Sequence, residues 1–274
     1  MNYRHAFHAG NFADLVKHAA LIELLRMLTQ GRDPLTVVDT HAGAGLYDLS
    51  GPEAARSGEA AAGVGRLLAA TDAPEPLKVL AEAVRAARGA TRLETAYPGS
   101  PWLIAERLRR HDRLVACELR PAEHAALQQA MRGRAQVETR CADGFDEAPG
   151  LVPAKGPALI VIDPPFERPD DYRRVAVATR TVLARNARAT LLVWLPLKDL
   201  ETFDAFLRGI EPAVGRTPML VAETRMRPLT EPLRMNGCAL AVVNPPAGLA
   251  APLEAICGWV AGLGQGGSAR VWNP

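Results

Sequence analysis

Lysine is scarce in this chain: only Lys17, Lys78, Lys155 and Lys198 occur, so 28 of the 32 basic residues are arginine. Against 30 acidic residues the net charge is only +2, too small for bulk electrostatics to demand a nucleic-acid partner. Arginine suits phosphate forks and base faces, but a codon bias favouring Arg, Ala, Gly and Pro gives the same count. Composition permits RNA binding and goes no further. Cysteine is thin as well. Cys117, Cys141, Cys238 and Cys257 lie far apart with no C-x-x-C pair, which argues against a zinc site and a secreted disulfide framework. They read as small buried hydrophobes in a reducing compartment. No apolar run is long enough to span a bilayer, and the opening MNYRHAFHAGNF lacks the apolar region of a secretory signal. A soluble, cytoplasmic protein is expected.

What is present is ample material for a core, with 48% hydrophobic residues over 274 positions. Residues 11 to 30 predict an amphipathic helix from Leu15, Val16, Ala19, Leu24, Leu25 and Leu28, stopped at Gly31. Leu35–Asp39 is a β-branched run suited to a buried parallel strand. Residues 49 to 96 depart from this alternation. They predict two helices, near Glu53–Leu68 and Pro76–Arg88, and no convincing strand. A small helical insertion at 49–96 would leave 1–48 and 97–274 as the main domain. Ser100-Pro101 then makes an N-cap and first-turn pair for a helix to about Arg110. Strands at Leu114–Glu118, Gln136–Thr139, Ala158–Asp163 and Thr190–Leu195 alternate with helices from Pro121, Tyr172 and Leu200. Leu220–Arg225 and Ala239–Asn244 follow with no helix between them, which fits an antiparallel pair. The pattern predicts a doubly wound sheet with one antiparallel strand.

In such a sheet, ligands bind outside the carboxyl ends of the strands. After the first strand comes Asp39 and the Gly43-x-Gly45 turn, whose glycines allow close approach of backbone to a ligand. A nicotinamide enzyme would want a third glycine for its pyrophosphate; Asp48 stands there instead, which favours a ligand without phosphates. An ordinary tight βα turn is the competing account. Glu118 ends the second strand, where an acid accepts from ribose hydroxyls; the helical insertion would explain its long separation from the first turn. Asp143-Gly144 ends the third, and an Asx turn explains it about as well as adenine recognition does.

The fourth strand ends in Asp163-Pro164-Pro165-Phe166. The prolines fix the backbone so that the Asp163 carboxylate and the Pro164 carbonyl face one point. An aromatic amine is a poor nucleophile because its lone pair is delocalised into the ring. Two acceptors on its hydrogens favour pyramidal nitrogen, Asp163 can take the released proton, and Phe166 offers a stacking face. Asn244-Pro245-Pro246-Ala247 also follows a strand, but lacks the aromatic and reads as a terminator. Near the start, Tyr3, Arg4, His5, His8, Lys17 and His18 concentrate aromatic, basic and imidazole groups. No Cys or carboxylate cluster completes a metal site around them. They read either as a polar helix face or as a basic lip that meets nucleic-acid backbone and closes over the ligand.

These residues carry a resemblance over nearly the whole chain. It rests on Tyr3-Arg4-His5-x-Phe7-His8-Ala9-Gly10-Asn11, Asp39-Thr40-His41-Ala42-Gly43-Ala44-Gly45, Tyr97-Pro98-Gly99-Ser100-Pro101, Cys117-Glu118-Leu119, Asp143-Gly144 and Asp163-Pro164-Pro165-Phe166-Glu167. The sequence resembles the RlmJ family, the 23S rRNA adenine-N6 methyltransferases. The resemblance implies a class I S-adenosylmethionine-dependent methyltransferase fold, Rossmann-like, with a seven-stranded sheet, one antiparallel strand and a small helical insertion. It implies cofactor contacts at His18, His41, Ser100, Glu118, Asp143, Gly144 and Asp163, with Lys17 beside them. Asp163 is then the proton acceptor and Tyr3 a contact to the target adenine, with Arg4 beside it on the RNA. Phe166 departs from the family pattern, where many relatives carry Tyr; stacking survives that change but a phenol hydrogen bond does not.

The implied reaction moves a methyl group from S-adenosylmethionine to N6 of an adenine in 23S rRNA, position 2030 by the resemblance. The base must be unpaired or flipped, so naked or partly assembled RNA is the expected substrate. A monomer without metal or membrane attachment is expected. The rivals are a DNA adenine-N6 methyltransferase, disfavoured by so short an insertion, and a protein glutamine methyltransferase, which would more often carry Asn at position 163. A catalytically silent RNA-binding protein is the non-enzymatic rival, and it has no need of the acid at Asp163.

Overall fold

The computed structural model describes residues 8–51, 57–231 and 235–274. Tyr3 and Arg4, the expected RNA contacts, lie outside the described residues. Asn11 begins helix α1 (Phe12–Leu28) as an N-cap, its side-chain oxygen accepting from the amides of Ala13 and Asp14. The expectation of an amphipathic α1 is corrected: every residue from Ala13 to Leu25 is buried. A helix covered on all sides has no polar stripe to show, and here two further helices pack on the face that would otherwise meet water.

The central sheet is built from β1 (Thr36–Asp39), β4 (Arg113–Cys117), β5 (Val137–Arg140), β6 (Ala158–Ile162), β7 (Thr190–Leu197), β8 (Met219–Arg225), β9 (Gly237–Val243) and β10 (Ser268–Trp272). Their order across the sheet is β10-β8-β9-β7-β6-β1-β4-β5. β5, β4, β1, β6 and β7 run parallel, and β9 enters antiparallel between β7 and β8. This is the Rossmann-like class I methyltransferase arrangement with its antiparallel strand. The strand number is corrected from seven to eight, because β10 adds a second antiparallel strand on the β8 edge. Ser268, Ala269 and Arg270 are exposed, so β10 lacks the apolar run that announces a buried strand.

A small second sheet pairs β2 (Leu46–Asp48) with β3 (Ala96–Pro98), Tyr47 opposite Tyr97. It draws together the two ends of the excursion that the sequence marked as helical. Within that excursion, a π-helical turn at Ala61–Gly65 leads into α2 (Arg66–Ala69), and α3 (Glu75–Thr91) follows. Leu77, Leu80, Ala81, Val84 and Ala87 form the buried face of α3, in one continuous core with Leu21, Leu24 and Leu25 of α1.

The remaining helices are α4 (Ser100–Ala105), α5 (Pro121–Ala130), α6 (Gly144–Leu151), α7 (Asp171–Arg185), α8 (Leu200–Val214) and α9 (Ala250–Ala261). α4 ends well before the expected Arg110. Buried Asp112 ties the following turn, accepting from the Arg109 amide and guanidinium and from the Leu35 amide at the start of the β1 region. Among the described residues no helix is long and apolar enough to cross a membrane.

The shared core makes the excursion part of the fold's stability. Leu80→Ala, at a fully buried position, is expected to cost about 2–5 kcal/mol in urea unfolding as one cooperative transition. A separate early transition for residues 49–96 would contradict the shared core.

Candidate active site

The strand order reverses between β1 and β6, and at their carboxyl ends a cavity of about 1410 Å³ opens. Just behind the lining residues Thr40 and His41, Asp39, the last residue of β1, is fully buried. Its Oδ1 accepts weakly from the His41 amide at 3.4 Å, while Oδ2 lacks a well-formed hydrogen bond. Burial pushes this carboxyl up to about 6, against the opposing pull of the Ser100 hydroxyl and the Lys17 ammonium.

The turn after β1 sets the next groups. Thr40 Oγ1 donates to Val161 O at 2.9 Å and lies 2.7 Å from His41 Nδ1. A hydroxyl has one hydrogen, so Nδ1 carries the imidazole proton and Nε2 keeps its lone pair. Burial lowers the His41 pKa to about 4, so the ring is neutral. Gly43 adopts φ +59°, and a Cβ there would stand 2.1 Å from the Tyr47 hydroxyl, which itself accepts from the Ala44 amide. The Gly43 amide donates to Glu118 Oε2 at 3.0 Å and the Arg120 amide to Oε1 at 2.8 Å. Glu118 is thereby fixed at the end of β4, and burial raises its pKa.

At the end of β5, Asp143 caps α6 by accepting from the Phe145 amide. Despite the cost of burial, the Arg174 guanidinium, 3.0 Å from Oδ2, holds this carboxyl below its ordinary range. Gly144 lies so close to the β1 turn that a Cβ would come within 2.0 Å of Thr40 O, so this helix start admits no side chain.

Beyond β6, Asp163 Oδ2 is 2.5 Å from Lys17 Nζ, and Asp14 Oδ1 lies 3.0 Å from the same ammonium. Lys17 and Asp14 are only 6% and 4% exposed. Burial alone would lower the Lys17 pKa; the two carboxylates raise it well above its ordinary value, so it stays charged. His18 Nδ1 meets the Tyr97 hydroxyl at 2.8 Å, and His8 Nδ1 lies 3.0 Å from Glu59.

The structure brings Lys17, His18, His41, Gly43, Ser100, Glu118, Asp143, Gly144, Asp163 and Pro164 to the walls of this one cavity. Phe166 is placed differently. Its backbone is left-handed at φ +50°, and its ring packs on Tyr172 at 4.6 Å outside the cavity lining. Asp14, Tyr47, Arg174 and Trp194 line the cavity without having been singled out in the sequence. Only Asp14 left a signal there, three and four residues ahead of Lys17 and His18 at helical spacing. Asn244-Pro245-Pro246 lies at the opposite end of the sheet, by the amino ends of the parallel strands, because β9 is antiparallel and Val243 pairs with Leu191 at the start of β7.

The imidazole of His41 is expected to titrate near pH 4 rather than 6.5 when followed by NMR. The unfolded ring takes its proton near 6.5 and the folded one only near 4, so its burial withdraws stability as pH falls through that window. Asp39 acts with the opposite sign: its folded pKa is raised from 3.8 to about 6, and its contribution fades as pH rises through 6. His41→Asn therefore isolates the imidazole: urea unfolding of the variant should lose less stability than wild type between pH 6.5 and 4. Equal losses would contradict the neutral buried ring.

Residues 32–273 match the family described as ribosomal RNA large subunit methyltransferase D, RlmJ. The chain is 33% identical over 247 residues to ribosomal RNA large subunit methyltransferase J of Haemophilus influenzae, covering 90% of this chain and 88% of the relative. It is 31% identical over 261 residues to the Escherichia coli protein of the same name, covering 95% and 92%. A crystal structure of a Legionella pneumophila protein superposes with a TM-score of 0.87 at 27% identity, covering 97% of this chain and 98% of that one. With the match running from just before β1 to the end of β10, the chain belongs to the RlmJ family of ribosomal RNA large subunit methyltransferases.

Proposed function

We propose that this protein methylates the exocyclic N6 of an unpaired adenine in 23S rRNA, adenine 2030 by the family resemblance, before or during large-subunit assembly. Family membership makes it an rRNA methyltransferase that uses S-adenosylmethionine. The observation that carries the finer reading is the Asp163 carboxylate, held 2.5 Å from the buried Lys17 ammonium at the switch point of the sheet.

The donor set fits the cofactor. Glu118, pinned by two amides, faces the place of a ribose diol. Asp143 and the glycine-close start of α6 suit an adenine edge, and Ser100, His18 and His41 complete the wall. Asp14 and Asp163 pair with Lys17, and Asp39 feels its charge. Those acids outnumber the ammonium, and Asp39 keeps an oxygen without a good partner, which suits a ligand bearing a sulfonium and an ammonium. When bound, the cofactor supplies an electrophilic methyl on a sulfonium that departs as a neutral thioether.

The chain's own work is on the amine. Asp163 and the Pro164 carbonyl accept the two N6 hydrogens, which draws the nitrogen out of conjugation and frees its lone pair. Lys17 fixes the Asp163 carboxylate from the protein side, leaving its other oxygen for the substrate. As the new N–C bond forms, one N6 proton passes to Asp163. Tyr3 and Arg4 are proposed to meet the RNA, and Phe166 to buttress the base subsite from behind. Residues 1–48 and 97–274 are proposed as the catalytic unit and 49–96 as its insertion, a division supported by the β2–β3 pairing at the base of the excursion. One chain supplies every cavity-lining group named here, which supports a monomer, and a cytoplasmic location is part of the same proposal.

Labelled cofactor with unmodified 23S rRNA, duplex DNA or protein, followed by nucleoside digestion, tests the reading. N6-methyladenosine from the RNA is expected; label confined to DNA or protein would overturn it. Asp163→Asn should still unfold cooperatively, at a lowered midpoint because the buried Lys17 loses one of its two carboxylates, and at a temperature where it is folded should lose at least about 100-fold in rate. Undiminished transfer by that variant would remove the proposed role of the acid.

A further inference from the structure

The cavity is larger than one ligand requires. Its volume of about 1410 Å³ exceeds the roughly 300–1,000 Å³ of an ordinary small-molecule site. Its walls change character at Asp163. Towards β1, β4 and β5 they are polar, with His41, Glu118 and Asp143. Towards β7 and the β8–β9 connection apolar groups enter, Pro164, Trp194, Pro196, Met226 and Met235, with Lys198, Arg227, Thr230 and Glu231 among them. The polar half answers a nucleoside cofactor. The other half adds flat and soft apolar surface beside the same carboxylate, with basic Lys198 and Arg227 at hand for a polyanion.

Trp194 is the centre of that second half. It is the one residue of β7 that is not fully buried, although β7 is an interior strand between β6 and β9. Ile162, the last residue of β6, pairs with Val193, so Asp163, which follows β6, leaves the sheet level with Trp194 of β7. This indole, half-buried in the middle of a sheet and level with the reacting acid, lines the cavity. The Phe166 ring lies 6.1 Å from it at 47° and is engaged with Tyr172, so on the β7 side of the cavity the lining aromatic among the described residues is Trp194.

We propose that Trp194, flanked by Pro164, Pro196, Met226 and Met235, is the subsite that receives the target adenine, the indole stacking on the purine while Asp163 meets its amine. This rests on the methyl-transfer reading of Asp163 and names the residue that holds the acceptor. Every base has a π-face, so the subsite selects a planar ring; the two acceptors at Asp163 and Pro164 select an amine on it.

Trp194→Phe and Trp194→Leu test the proposal, with thermal unfolding as a check on folding. The Leu variant is expected to raise KM for the RNA by roughly 10- to 100-fold, with Phe recovering most of the loss. Calorimetric affinity for S-adenosylhomocysteine should change less than about twofold in either variant. Independently of turnover, adenosine monophosphate titrated into the S-adenosylhomocysteine complex should quench the tryptophan emission of the wild type. The Phe variant, which keeps Trp102, Trp259 and Trp272, should lose that quenching. Unchanged RNA KM with unchanged quenching would overturn the subsite, as would an equal loss of cofactor affinity, which marks a structural role. If the wild type forms N6-methyladenosine and the variants do so equally well, only the subsite fails. If the wild type methylates no adenine in any RNA, the underlying reaction fails instead, whatever the quenching shows.

Discussion

Lys17 sits in α1 with its ammonium between Asp14 of the same helix and Asp163 at the end of β6. An ammonium taken out of water costs several kcal/mol unless it is paired, and two carboxylates at 3.0 and 2.5 Å meet that cost. The consequence runs through the molecule. α1 must bring Lys17 to the carboxyl end of β6 for this contact to form, and it must be covered to keep water from the pair. The helices of the 49–96 excursion and α9 provide that cover, sharing one core with α1. The helical excursion therefore serves the chemistry indirectly, by keeping buried the helix that holds the acid.

The other half of the site depends on backbone approach rather than charge. Gly43 and Gly144 stand where a Cβ would collide with the Tyr47 hydroxyl and with Thr40 O. Their absence of side chains lets the β1 turn, the Glu118 carboxylate and the α6 start converge. Tyr47 and Tyr97 pair across the small β2–β3 sheet. Tyr47 reaches the glycine turn and Tyr97 reaches His18. The Tyr97-Pro98-Gly99-Ser100 segment thus links the excursion, the helix and the cavity wall.

Much of this was legible one residue at a time. The parallel strands and their terminal acids were readable because buried parallel strands are short apolar runs and ligands gather at their carboxyl ends. Glu118, Asp143 and Asp163 were found that way, and all three line the cavity. β10 escaped because an edge strand with exposed Ser268, Ala269 and Arg270 carries no such run. α6 escaped because Pro149 lies within it, and a proline in eight residues reads as a break. Phe166 was assigned the stacking face on proximity in sequence, yet its left-handed backbone turns the ring to Tyr172.

The sequence by itself determined the chemistry at each strand end, since an acid beside two prolines or a glycine pair constrains its own backbone whatever surrounds it. Only the tertiary structure decided which distant groups complete that chemistry. Lys17 and Asp163 are 146 residues apart, and no local pattern couples a helical lysine to a strand-end acid. Trp194 looked like one more apolar residue of β7 until the parallel register set it level with Asp163. Register, helix placement and burial are properties of packing across the whole chain; local spacing does not encode them.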